Sequence, residues 1–265
     1  VSRLVILHTN DLHNRLIRRP ERAARLREAI QRERDAGRGG FPPRPDGAEI
    51  GHILLLDAGD AVGSGNLTFN PAGEPILDIL SELGYHAMTI GNREFHFTET
   101  GFVTTLSRAR FPVLCANIRA RGDAHLPVQP YVILETVVGR VGVFGITVPM
   151  ITERMLSQHV SAYVFDDPIR RGCEMAEELR PQVHLLIALT HIGLTRDIEL
   201  AKAAPYIDLI VGGHSHSVLE QPLREGRVAM VQAGCHARYL GRVEVEPDDP
   251  VRVEGRLIPL VEGQG

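Results

Sequence analysis

The sequence predicts an α/β protein of two packed, mixed β-sheets with helices outside, on three observations. Short β-type apolar runs alternate with helical patterns through most of the chain, as crossovers between parallel strands require. The runs are continuously apolar, so their strands are buried on both faces. Antiparallel patterns interrupt the alternation in the middle and again at the end, which makes the sheets mixed.

The first run, Leu4 to Leu7, enters the polar segment Asp11-Leu12-His13. Glu21 to Asp35 is then a helix, with Ala24, Leu26, Ala29 and Ile30 on its inner face. Gly37 to Gly51, carrying Pro42, Pro43 and Pro45, is a surface loop. A strand at Ile53 to Leu56 opens into a loop reaching Gly65, and a helix follows at Pro75 to Leu83, stopped by Gly84. Next come a strand at Ala87 to Ile90, a helix at Glu99 to Ala109, and a strand at Val113 to Cys115 that ends at Asn117. Tyr131 to Val137 and Val141 to Gly145 form a hairpin about Gly139-Arg140. A helix at Asp167 to Glu178 is followed by two strand-loop-helix units, with strands at Leu185 to Leu189 and Leu209 to Val211. The end is antiparallel: Val228 to Gln232, Tyr239 to Glu246 and Val251 to Pro259.

With 265 residues, no internal repeat and no long linker, the chain is expected to form one domain, 1–265. At 43% apolar and 23% charged it has an ordinary globular composition. A net charge of -4 without a basic block gives a nucleic-acid polymer no electrostatic reason to bind. No apolar run approaches the roughly 20 residues of a membrane-spanning helix, so no membrane is expected as a partner. Val1 to Leu7 runs straight into the first strand, with no visible signal peptide. Cys115, Cys173 and Cys235 are odd in number and lack CxxC spacing, which fits free thiols in a reducing compartment. A cytoplasmic protein is expected, or a periplasmic or secreted one if a leader has been removed.

Five segments hold nearly all the metal-ligand chemistry: Asp11-Leu12-His13, Asp57-Ala58-Gly59-Asp60, Gly91-Asn92-Arg93-Glu94, Thr190-His191 and Gly212-Gly213-His214-Ser215-His216. Each follows one of the buried runs, and sites in open α/β sheets form where strands end. So many oxygen and imidazole groups exceed the need of one tetrahedral ion and suit a pair of divalent ions. That donor mixture favours Mn²⁺, with Zn²⁺ or Fe²⁺ as alternatives, over Mg²⁺ or Ca²⁺.

These segments, together with Ile6 to Asn10 before the first, Gln232-Ala233-Gly234 and Tyr239-Leu240-Gly241-Arg242, resemble the calcineurin-like metallophosphoesterases. More narrowly, the chain is similar to the catalytic domain of the 5′-nucleotidase / 2′,3′-cyclic-nucleotide phosphodiesterase family. The resemblance implies a four-layer α/β/β/α sandwich. It gives Asp11, His13 and His216 to one metal, Asn92, His191 and His214 to the other, and Asp60 to both. It also implies in-line attack on a phosphoester by a metal-bridging hydroxide, with small-molecule nucleotides the leading substrates. Asp57 and His8 are expected to support the ligands or pack behind them. Asn117 either orients a ligand or caps its strand. His52, His86, His125, His159 and His184 lie outside the site loops.

The chain departs from the family pattern in two ways. Where the family has Gly-Asn-His-Glu-Phe-Asp, this chain has Gly91-Asn92-Arg93-Glu94-Phe95-His96, so the family's His/Asp dyad is replaced by Arg93 and His96. A guanidinium offsets charge on phosphoryl oxygens but cannot donate a proton, whereas an imidazole can do so near neutrality. The expected catalytic set is therefore Asn92, Arg93 and His96, with Asn92, Arg93 and His236 also contacting substrate; His236 is a second candidate proton donor. The family's C-terminal substrate-binding domain has no counterpart after the last strand. The rival readings are hydrolysis of a non-nucleotide ester, and a weakly active metal-binding module that relies on a partner.

Overall fold

The computed structural model describes residues 3–37, 52–65, 67–246 and 252–261. In chain order the elements begin with β1 (Leu4–Thr9), α1 (Arg15–Arg18), α2 (Pro20–Gly37), β2 (Ile53–Asp57), α3 (Pro75–Leu83), β3 (Ala87–Thr89), α4 (Glu99–Leu106) and β4 (Val113–Leu114). The middle holds β5 (Ile118–Ala120), β6 (Tyr131–Thr136), β7 (Gly139–Thr147), β8 (Tyr163–Phe165) and α5 (Pro168–Leu179). The remainder is β9 (Leu185–His191), α6 (Leu194–Ala203), β10 (Leu209–Gly212), β11 (Leu223–Glu225), β12 (Val228–Val231), β13 (Tyr239–Glu246) and β14 (Arg252–Pro259).

Two six-stranded sheets result, ordered β14-β13-β1-β2-β3-β4 and β11-β12-β10-β9-β7-β6. Strands β1 to β4 run parallel, with β13 and β14 added antiparallel beside β1. In the second sheet β7, β9, β10 and β12 are parallel, and β6 and β11 are antiparallel edges. Side-chain alternation explains why the sheets stack. Leu54 and Leu56 of β2 face Leu185, Ile187 and Leu189 of β9 in a shared core, while Ile53 and Leu55 turn out beneath α2 and α3. Leu186 and Ala188 turn out against α5 and α6. Each such buried side chain contributes about 1.5–3 kcal/mol. The layers are therefore α/β/β/α, as the sequence predicts.

Helix α3 stops at Gly84, whose φ of 78° closes the αL cap expected there. Three local expectations need correcting. The second of the two expected strand-loop-helix units has no helix among the described residues, because the chain after β10 (Leu209–Gly212) enters the β11–β12 hairpin. The hairpin turn is Val137-Val138, two residues earlier than predicted, because Thr136 pairs with Gly139. The Thr136 hydroxyl closes it, accepting from Val138 N and donating to Gly139 O. Val228–Val231 does not join the terminal antiparallel strands: the β11–β12 hairpin turns it back to lie parallel to β10, in the other sheet. The two-stranded β5–β8 ribbon and the one-turn helix α1 have no counterpart in the sequence reading. Most of the Gly37 to Gly51 loop, and Val251, lie outside the described residues. No described helix is long and apolar enough to cross a membrane.

Candidate active site

The ends of β1, β2 and β3 in one sheet, and of β9 and β10 in the other, deliver the predicted ligands to one place. The loops are laid directly on one another. Asp11 N donates to Gly59 O at 2.9 Å and His13 N to Asp60 O at 2.9 Å. His214 N donates to Asp11 Oδ2 at 3.0 Å, which joins the two sheets. Glu94, fully buried, accepts from Asp60 N, Val62 N and Gly91 N at 2.7–3.0 Å and staples the second loop to the third. Burial, then the neighbouring Asp60 charge, pushes the Glu94 carboxyl up to about 7 against the pull of its backbone donors. At Gly91 any Cβ would fall 2.2 Å from Asp60 Oδ1, so only glycine lets the loops close.

Backbone strain concentrates here. Among the described residues the non-glycine positive φ angles belong to Asp11, His13, Asn14, Asp60, His214, His216, His236 and Ala237. Five of these are predicted ligands. Such conformations cost about 1–3 kcal/mol each and persist only where surrounding bonds enforce them.

Asp11 Oδ1 lies 3.2 Å from His216 Nε2, 3.8 Å from His13 Nε2 and 4.0 Å from His191 Nε2. Asp60 Oδ1 is 3.5 Å from His191 Nε2. Two overlapping triads, Asp11-His13-His216 and Asp11-Asp60-His191, have donor atoms all within 4.8 Å and could each hold a metal ion. The residue they share is Asp11, whereas the resemblance gives the bridge to Asp60, whose Oδ1 here also accepts Arg93 N at 2.8 Å. The His214 ring packs 5.1 Å from that of His191.

Among the described residues eight buried polar atoms have no hydrogen-bond partner, and three of them are Asp11 Oδ1, Asn92 Oδ1 and His191 Nε2. An unmet buried polar atom costs about 1–3 kcal/mol, and all three belong to predicted ligands. His191 Nδ1 donates to Ala58 O at 2.8 Å, which aims Nε2 at the carboxylates, where a cation could take the place of its proton. Burial opposes charge on that ring, but Asp60 and then Asp11 outweigh it and raise its pKa to about 9. The donor set therefore fits divalent ions.

Supporting residues explain the alignment. Asp57 accepts from Thr9 Oγ1 at 2.6 Å and Gly59 N at 2.9 Å, and so shapes the loop behind the ligands. Asn10 Nδ2 donates to Asp11 Oδ2 and to Gly234 O, and Gln232 Nε2 donates to Gly213 O. Thr190 Oγ1 donates to Asp197 on α6 at 2.6 Å. Asn10, Glu94 and Gln232 stood inside recognised motifs without an assigned role; Asp197 carried no sequence signal. Asn117 is a tether, donating to Thr147 O and accepting from Thr147 N. His8 is a packing residue pressed on Gly241, where a Cβ would meet its Nε2 at 2.0 Å.

Above the ligands opens a cavity of about 310 Å³ lined by His13, Arg15, Arg18, Gly63, Arg93, His216 and His236. The Arg93 side chain is exposed and makes no ion pair among the described residues. His236 N donates to Asp11 O at 2.8 Å, which sets the imidazole 5.3 Å from that of His13. Burial and then Arg15 lower the His236 pKa to about 4. His96 does not join the cavity. It is buried against Phe69 and stacked on Phe97, with Nδ1 accepting from Thr98 N at 3.1 Å. Arg15 and Arg18 went unnoticed in the sequence, because no spacing signal distinguishes them from the other arginines.

Residues 4–218 match the calcineurin-like phosphoesterase family. The chain is 31% identical over 285 residues to the trifunctional nucleotide phosphoesterase protein YfkN of Bacillus subtilis, covering 93% of this chain and 18% of that protein. It is 32% identical over 274 residues to the 5′-nucleotidase of Bos taurus, covering 93% of this chain and 47% of that one. The chain thus spans about half the length of the bovine relative and far less of the bacterial one. In structure it is similar to the NAD nucleotidase NadN of Haemophilus influenzae, with a TM-score of 0.76 at 21% identity over 97% of this chain and 55% of that chain. With the fold, the strand-end ligands and this match in agreement, the chain belongs to the calcineurin-like phosphoesterases.

Proposed function

We propose that this chain hydrolyses phosphoesters, nucleotides foremost, with two divalent ions held by Asp11, His13, Asp60, Asn92, His191, His214 and His216. The observation that carries this reading is the convergence of Asp11, His13 and His216, and of Asp11, Asp60 and His191, with donor atoms within 4.8 Å at the ends of strands from both sheets, where Asp11 Oδ1 and His191 Nε2 are orphaned. When bound, the ions supply Lewis acidity and activate water at neutral pH. The chain's own residues do the rest. Arg93 at the cavity wall offsets charge that builds on phosphoryl oxygens, and Asn92 precedes it in the chain. His236, uncharged at neutral pH, offers a ring N–H to substrate across from His13. Manganese is the ion that best suits the imidazole, amide and carboxylate donors. Nucleotides are favoured because the B. subtilis and bovine relatives are named for acting on them. The core shared by both sheets supports reading 1–265 as one catalytic unit.

The test is a screen of p-nitrophenyl phosphate, bis-p-nitrophenyl phosphate and nucleotides with and without Mn²⁺, alongside elemental analysis. The expected result is hydrolysis abolished by chelation and restored by Mn²⁺. Protein that carries two ions yet cleaves no ester would overturn the reading.

A further inference from the structure

The described arginines differ in whether they are matched. Arg180 meets Asp208 at 2.7 Å, Arg242 meets Glu33 at 2.7 Å, and Arg119 meets Asp166 at 2.9 Å. Arg15, Arg18 and Arg93 have no such partner: their guanidinium groups make no ion pair or hydrogen bond to another described residue. All three line the cavity over the ligand cluster, and no carboxylate lines it with them. Arg15 and Arg18 sit three apart on α1 and so share a face. The turn is anchored by buried Leu16 and by Asn14 N donating to Ala61 O at 2.8 Å.

Formal charge shows what is left over. Two divalent ions set against the Asp11 and Asp60 carboxylates and one activated hydroxide would leave one positive charge, which Arg93 brings to two, enough for one phosphoryl dianion. The Arg15 and Arg18 charges then remain uncompensated. Guanidinium forks match phosphate oxygens in geometry as well as in charge.

We infer that Arg15 and Arg18 hold a second phosphoryl group of the substrate, so that this site favours diphosphate esters over monophosphate esters. The inference rests on the phosphoesterase reading above. Hydrolysis of the terminal group breaks the bond between its phosphorus and the bridging oxygen. The hydroxyl of water joins that phosphorus, the bridging oxygen leaves with the monophosphate ester, and the second proton goes to solvent.

The experiment measures kcat and KM of the Mn²⁺-loaded protein for a nucleoside diphosphate, the matching monophosphate and p-nitrophenyl phosphate. In the wild type kcat/KM is higher for the diphosphate. In Arg15→Gln/Arg18→Gln the diphosphate-to-monophosphate ratio falls by about 10²-fold, carried by KM, the scale of losing two charge-assisted hydrogen bonds. Arg15→Lys/Arg18→Lys, which keeps the charge and loses the fork, restores part of it. Thermal unfolding with inorganic pyrophosphate reads binding without turnover, and stabilisation over orthophosphate shrinks in the Gln variant. Equal losses for both nucleotides, or a wild-type ratio of one, overturn the inference while turnover of p-nitrophenyl phosphate leaves the broader reading standing. No turnover of any ester overturns both.

Discussion

On the floor of the site, Asp11, Asp60 and His191 are at most 3% exposed, and other loops hold them by hydrogen bonds. At its mouth, Arg18 and Arg93 stand in solvent with no partner among the described residues. The difference separates two kinds of constraint. Buried carboxylates that face one another are costly without positive charge between them, so an ion bound there would dictate the floor. Solvated guanidinium groups cost nothing to leave unpaired, so the mouth is free to follow the substrate. Changes on the floor should therefore register in ion content, and changes at the mouth in turnover alone.

Asp60→Ala is the severest test of this division. Its expected outcome is loss of at least one ion by elemental analysis, and a fall in turnover of roughly 10³-fold, the scale of several kcal/mol of lost charge stabilisation. If Asp60→Ala kept both ions, the bridging role would pass to Asp11, the residue common to both triads. Arg93→Ala probes the mouth: kcat drops by about 10²-fold with the ion content of the wild type. Arg93→Lys recovers only part, because an ammonium lacks the planar fork. Full turnover in Arg93→Ala would remove that residue from the mechanism.

This division also explains what could be read from residues alone. The place of the floor was legible because each predicted ligand follows an apolar run, and β-structure delivers strand ends to one edge whatever the loops do next. His96 shows the limit. It occupies a slot in a catalytic motif, but the chain there is already turning into α4, where Thr98 caps the helix and its N–H draws in the His96 ring. Position in a motif does not give side-chain direction. Arg15 and Arg18 were illegible for another reason: their role depends on the absence of partners, which only packing reveals. The hairpin turn was misplaced because turn chemistry favours Gly139, whereas the Thr136 hydroxyl lets Val137-Val138 make the turn.

Glu94→Gln sharpens the boundary from behind the floor. The substitution keeps the size of the side chain but sets an amide NH₂ against some of the three N–H groups that Glu94 now receives. Ion affinity is expected to fall by about 10–100-fold, as for other residues that orient ligands, with kcat at saturating Mn²⁺ falling far less. Comparable losses in kcat at saturation would place Glu94 in the chemistry rather than beneath it.

The smallest effect separates histidines that differ only in surroundings. His8 lies on β1, three residues before Asp11, and burial lowers its pKa from 6.5 to about 4. Between those values the unfolded chain holds a proton that the folded chain refuses. The stability from a neutral His8 is complete above about pH 6.5 and is lost as the pH falls through that window to 4. From pH 7.5 to 5.0 the loss attributable to His8 is about 2 kcal/mol. Urea unfolding in EDTA, compared between the wild type and His8→Leu, isolates this share, since the ligand histidines titrate in both proteins and cancel. The variant should lose about 2 kcal/mol less stability over that range. An unchanged pH dependence would mean that folded His8 takes up the proton, and that the floor extends one strand position deeper than its ligands.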